Sequence, residues 1–121
     1  VHTYGVCKGK IDSRTMVDVC STNVAKQFNM FPRKGALVVG SDADIVVYDT
    51  DYVGTFKHED GLSKIDYCGF EGMERKGRSD VVFLRGKVVA EQGKFVGETG
   101  SGYAGNGLGQ AIVLAVFCIA A

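Results

Sequence analysis

Histidine is nearly absent from this chain, which holds only His2 and His58 in 121 residues. Hydrolytic metal centres need His, Asp, Glu or Cys side chains converging on one ion, and there is neither an H-x-H nor a C-x-x-C pair here, so a complete metal centre is not expected. Net charge is missing too: 14 basic and 14 acidic residues cancel at a pI near 6.9, and Lys and Arg never run beyond the pairs Arg33-Lys34 and Arg75-Lys76. That balance argues against nucleic acid or an anionic membrane as a partner. The four cysteines, Cys7, Cys20, Cys68 and Cys118, are widely spaced, and no basic-then-apolar leader precedes them. The reading is free thiols in a reducing, cytoplasmic setting rather than a secreted disulfide framework. The apolar run Ala111 to Ala121 is also too short for a helix to cross a bilayer, which takes about 20 residues.

What is present is patterning. A chain of this length forms one domain at most, able to bury roughly 65% of its unfolded surface. Between Ser13 and Met30 the apolar residues fall at Met16, Val17 and Cys20, then at Val24, Ala25 and Phe28. These two successive stripes predict two short amphipathic helices, with Asp12 or Ser13 capping the first and Ser21 or Thr22 the second. Pro32 is expected to stop the second helix. From Phe31 to Asp49 the chain reads as a hairpin-like unit: a basic turn, a short apolar strand opened by Gly35, a Gly40-Ser41-Asp42 reversal, and a strand Ile45 to Tyr48 ending on Asp49. Asp42, Asp44 and Asp49 lie at strand ends, where carboxylates accept backbone N–H bonds. The polar stretch from Asp49 to Lys64 reads mainly as a surface connection, with one short strand around Tyr52-Val53 and Phe56. Val81 to Leu84 and Lys87 to Glu91 form a hairpin around Arg85-Gly86, and Gln92-Gly93 is a second tight turn before Lys94 to Val96. The predicted fold class is α+β, mainly β: two short helices, then an antiparallel meander from Gly35 to Val96. A glycine-rich stretch, Gly97 to Gly109, and the terminal apolar run follow. That run is either a buried terminal element or the product of a frameshifted or truncated reading frame.

The search for chemistry yields little. His58 with Glu59 and Asp60 could form a small acidic metal patch, but such residues in a polar loop are far more often a solvated surface. Gly100-Ser101-Gly102-Tyr103-Ala104-Gly105 matches G-x-G-x-x-G. A dinucleotide site would need a buried parallel strand before it and an acid about 20 residues beyond it, and the remaining sequence has no such acid. Cys20 lies on an apolar stripe with no histidine brought towards it, so it reads as a small core residue. No isolated carboxylate pair signals an acid/base dyad. Catalytic, cofactor-binding and metal-ligating residues are therefore assigned to none of these positions.

Several blocks nonetheless resemble, in order and spacing, the C-terminal part of the dihydropyrimidinase and D-hydantoinase family of the amidohydrolase superfamily. They are Val19-Cys20-Ser21-Thr22-Asn23 with Ala25-Lys26, Met30 to Gly35, Gly40 to Val47, Asp66-Tyr67 with Phe70-Glu71-Gly72-Met73, Arg85 to Val89, and Gly93 to Gly97. The Gly40 to Asp49 block alone indicates the wider superfamily; the Pro-Arg-Lys-Gly and Phe-Glu-Gly-Met blocks narrow it. The resemblance covers Val1 to Tyr103, with departures at Val24, Cys68 and Gly69, and after Tyr103.

The resemblance implies that residues 1–34 close the end of a catalytic barrel, that 35–97 form the C-terminal part of a small β-sandwich, and that 98–121 are an unassigned tail. It implies a parent enzyme in which two divalent ions, zinc most likely, bridged by a carboxylated lysine, make the hydroxide that opens a cyclic amide. No catalytic residue of the family maps onto this chain, and no cofactor is assigned to the segment itself. The implied partners are the missing N-terminal part of the same enzyme and further copies in a dimer or tetramer. Two other readings stand beside this one: a segment of the related non-catalytic, cytoskeletal-regulatory proteins, and a free-standing β-domain acting as a binding module.

Overall fold

The structure, a computed structural model, describes residues 1–61, 66–98 and 100, and the backbone of 116–118. The chain enters through a wide helical turn at His2–Val6, then forms α1 (Ser13–Val17) and α2 (Asn23–Gln27), joined through a wide π-type turn at Asp18–Thr22. Asp12 caps α1 as the sequence indicates, its Oδ1 accepting from Thr15 N at 2.6 Å. The expected cap on α2 is not formed. Thr22 already has helical backbone angles because the chain never leaves the helix between α1 and α2, so no orphan N–H awaits a side chain there. Its hydroxyl instead donates to Gly35 O at 3.0 Å and ties the helix to the following loop. Pro32 is not the stop either. The helix ends earlier, at Asn29, whose φ of 56° turns the chain so that Met30 and Phe31 N–H both reach Ala25 O.

Four antiparallel strands follow: β1 (Ile45–Thr55), β2 (Glu74–Leu84), β3 (Lys87–Glu91) and β4 (Lys94–Phe95). A fifth, β5 (Val116–Cys118), adds in parallel to Ile45–Val47, giving the order β4-β3-β2-β1-β5. The α+β, mainly β class is as read from the sequence, and both tight turns form. Arg85 and Gly86 have φ of 49° and 79°, and Gln92 and Gly93 have 48° and 81°, the paired positive angles of type I′ hairpins. The terminal apolar run reaches the described residues only at β5, and the rest of it lies outside them.

Two strand assignments need correction. The apolar stretch before Gly40 is a loop rather than a strand. Leu37, Val38 and Val39 are exposed, and β1 pairs with β2 and β5, so the loop has no ladder to join. The second correction concerns length. β1 does not end at Asp49 but runs on through Thr55, and β2 begins at Glu74 instead of near Asp80. Two irregularities hide both: the register shifts first between Val47 and Tyr48, where Asp80 has no partner in β1, and again beyond Asp49. Asp49 pairs with Arg78 and Val53 with Lys76, leaving three residues of β1 opposite Gly77 alone. The bulge breaks the period-two alternation on both strands at once. Packing is concentrated where helix meets sheet start, at Met16, Ser21, Ala25, Asp44 and Val46, all buried.

Candidate functional site

The most developed polar cluster gathers around Asp44. Lys34, at the end of the helix-to-loop turn, donates from Nζ to Asp44 Oδ2 and to Asp42 Oδ2, the latter at 2.9 Å. Asp44 Oδ1 accepts Arg85 N at 2.8 Å, and Gly86 N donates to Ala43 O at 2.9 Å. Arg33 approaches Asp42 at 3.6 Å, and Asp42 N donates to Arg33 O. The loop is thus closed on itself at its two ends and fastened to the β2–β3 turn. Asp44 is only 6% exposed. The hydrogen bond from Lys34 holds the Asp42 carboxyl below its ordinary value. Burial alone would lower the Lys34 ammonium, but the hydrogen bonds to Asp44 and Asp42 outweigh it and hold that group above its ordinary value. A lysine kept as a cation by two carboxylates is no nucleophile at neutral pH; the cluster is a latch. Of the strand-end carboxylates expected to accept backbone N–H groups, Asp42 instead meets the Lys34 and Arg33 side chains, and Asp44 does accept one. Asp49 does too, its Oδ1 taking Asp51 N and Tyr52 N at 3.0 and 3.2 Å. The part played by Lys34 was not foreseen, since nothing in a Pro-Arg-Lys-Gly turn says which acid its lysine will meet.

A second cluster packs the first turn onto β2 beside the bulge. His2 Nδ1 and Thr3 Oγ1 both lie against Lys76 O, at 2.9 and 3.1 Å, so Nδ1 carries the hydrogen and cannot act there as a base. Cys7 Sγ is 3.6 Å from the same nitrogen, and the Tyr48 ring sits 5.1 Å from the imidazole. Burial raises the Tyr48 phenol above its ordinary value.

The residues singled out for chemistry are not brought together. His58 begins a single 3-10 turn, its N–H donating to Glu71 Oε2 at 2.7 Å and its ring 3.6 Å from the same oxygen, with Glu59 and Asp60 exposed beside it. Among the described residues no three His, Cys, Asp or Glu side chains are placed to share a metal ion. Cys20 is half-buried with a free thiol, and Cys68 likewise. Of the glycine motif only Gly100 is described; positions 101–105 lie outside the described residues. A recess of about 440 Å³ between Leu84, Val88, Val96 and Glu98 has a single carboxylate and no histidine in its lining.

The sequence profile described as "Amidohydrolase family" matches residues 2–89. Dihydropyrimidinase of Rattus norvegicus is 43% identical over 98 residues, 81% of this chain and 19% of the rat protein. Dihydropyrimidinase-related protein 5 of Homo sapiens is 39% identical over 98 residues, 81% of this chain and 17% of the human protein. Among solved structures, a D-hydantoinase (dihydropyrimidinase) from Thermus sp. superposes with a TM-score of 0.81 at 52% identity, over 84% of this chain and 22% of that one. The chain spans about a fifth of the length of the curated relatives it matches.

Proposed function

The chain belongs to the amidohydrolase family, in its dihydropyrimidinase and D-hydantoinase branch, and we propose that it is the C-terminal portion of a metal-dependent hydrolase that opens the ring C–N bond of hydantoins or dihydropyrimidines. The observation that carries this reading is the agreement in fold with the Thermus hydantoinase over most of this chain, at an identity high enough to speak for more than fold. The contribution of the segment is architectural. Its helices and sheet form a body held by the Lys34–Asp42–Asp44 latch and the two I′ hairpins, and the reacting groups belong to the rest of the polypeptide. The divalent metal of such hydrolases has no fitting donor set among the described residues: His2 is turned to a backbone carbonyl and His58 to Glu71. No catalytic step is therefore routed through this segment. Its partners in this reading are the remainder of the same polypeptide and further copies of it, in a cytoplasmic setting.

The test is to determine the sequence flanking this reading frame, express the joined protein, and measure ring opening of hydantoin and dihydrouracil alongside bound metal. Turnover with stoichiometric divalent metal in the joined protein, and neither in the 121-residue chain, is the expected result. Flanking sequence without an H-x-H, and a joined protein that folds but hydrolyses neither ring, would move the chain to the non-catalytic relatives. One tightly held zinc in the 121-residue chain alone would overturn the architectural reading.

A further inference from the structure

The bulge that interrupts β1 and β2 gathers two arginines on one tyrosine. Side chains three residues apart on a regular strand point to opposite faces, so Arg75 and Arg78 would normally diverge. Gly77, with φ of 76°, resets the alternation between them, while the three β1 residues opposite it swing Tyr52 back over the strand pair. The Arg78 guanidinium carbon lies 4.6 Å from the Tyr52 ring centroid and that of Arg75 5.4 Å; Arg75 is also 5.5 Å from the Phe56 ring. Both cations are thereby pre-positioned by stacking. Neither is well satisfied. Arg78 Nε is buried without a hydrogen-bond partner, its nearest carboxylate oxygen being Asp49 Oδ2 at 3.9 Å. Arg75 forms no ion pair with any described residue; the adjacent Lys76 and Glu74 pair with each other at 3.5 Å.

We propose that Arg75 and Arg78, braced on Tyr52, form a binding site for the carboxylate group of a small organic acid. Guanidinium forks match the planar geometry of a carboxylate, and neither side chain has a hydrogen-bonded acceptor among the described residues, which leaves their outer N–H groups to a ligand that supplies one. Charge selects the class. With Asp49 beside them the two arginines carry one net positive charge, which a monoanionic carboxylate neutralises and a phosphate dianion overshoots.

The experiment follows the side-chain Nε–H resonances of the 15N-labelled 121-residue chain during titration with acetate, with chloride and inorganic phosphate at matched ionic strength as comparison arms. Acetate is expected to shift the Arg75 and Arg78 signals saturably, with half-saturation on the order of 1–10 mM, and to leave Arg33 unmoved. Arg78→Gln is expected to weaken binding about tenfold or more through loss of one charge-assisted fork. If Arg78→Gln does not keep the parent amide spectrum, Arg75→Lys carries the test, since it retains the charge and loses the fork; weakened acetate binding supports the site and unchanged binding overturns it. Equal shifts with chloride, tighter binding of phosphate, or an unaltered titration in Arg78→Gln would each overturn the proposal.

Discussion

Replacing Asp44 by alanine should do more harm than any change at Asp42, and the structure says how much. The Asp44 and Lys34 side chains are 9% and 18% exposed, so their pairing is largely shielded from water, whereas Asp42 at 32% is half in solvent. Breaking a fully buried ion pair costs about 3–5 kcal/mol. Here Asp42 remains to take up part of the Lys34 charge, which brings that contribution to about 1–2 kcal/mol. The same substitution removes the Asp44 oxygen to which Arg85 N donates, adding about 1 kcal/mol. Asp44→Ala is thus expected to cost about 2–3 kcal/mol. Asp44→Asn keeps an oxygen for Arg85 N and should cost about 1–2 kcal/mol. Asp42→Asn should stay within about 1 kcal/mol, as exposed pairs do. With a urea dependence of about 1–2 kcal/mol per molar for a chain of this size, Asp44→Ala should lower the urea midpoint by about 1–3 M. A midpoint within about 0.3 M of the parent, or Asp42→Asn as damaging as Asp44→Ala, would refute the assignment of the latch to the buried pair.

Legibility in the sequence followed the range of the interactions. Both I′ hairpins were readable because each is set by a pair of adjacent residues ending in Gly, and the structure gives Arg85-Gly86 and Gln92-Gly93 the required positive φ. The Asp12 cap was readable for the same reason, its partner Thr15 being three residues on. The extent of β1 and β2 was not, because register shifts at Asp80 and opposite Gly77 disrupt the alternation on both strands, and a bulge is a property of the pair rather than of either segment. Leu37 to Val39 carried the composition of a strand, but a strand exists only against a neighbour, and which neighbour β1 chooses is fixed by residues 74–84 and 116–118. The latch, likewise, unites Lys34 with Asp44 and the distant Arg85, and the two-arginine platform depends on a register shift no local pattern reports.

Three further outcomes test the fold around these features. Gly77→Ala should destabilise by about 2 kcal/mol or more, because a Cβ at positive φ would also meet Tyr48 Cε1 at 2.6 Å and His2 Nδ1 at 2.8 Å; an unchanged thermal midpoint would show that the first turn does not pack on the bulge. Gly86→Val should destabilise by about 1–3 kcal/mol while Arg85→Asn is neutral or mildly stabilising, Asn-Gly being the preferred I′ pair; denaturant midpoints decide, and tolerance of Gly86→Val would refute the turn. The last concerns pH. Asp42 is held below its ordinary 3.8, first by the Lys34 hydrogen bond, so its contribution is present above 3.8 and lost as pH falls through the lower folded value. Lys34 is held above 10.5, its burial being outweighed by the Asp44 and Asp42 hydrogen bonds, so its contribution is present below 10.5 and lost as pH rises through the higher folded value. Burial raises Tyr48 above 10.0, which adds to the same alkaline limb. Stability measured against pH should therefore be flat between these limbs with respect to the three groups. Lys34→Met should shrink both limbs, since it removes the lysine and the group that depresses Asp42, and should leave the Tyr48 part of the alkaline fall in place. If the acid limb in Lys34→Met is as steep as in the parent, Asp42 does not owe its lowered value to Lys34, and the latch is not the source of the acid sensitivity.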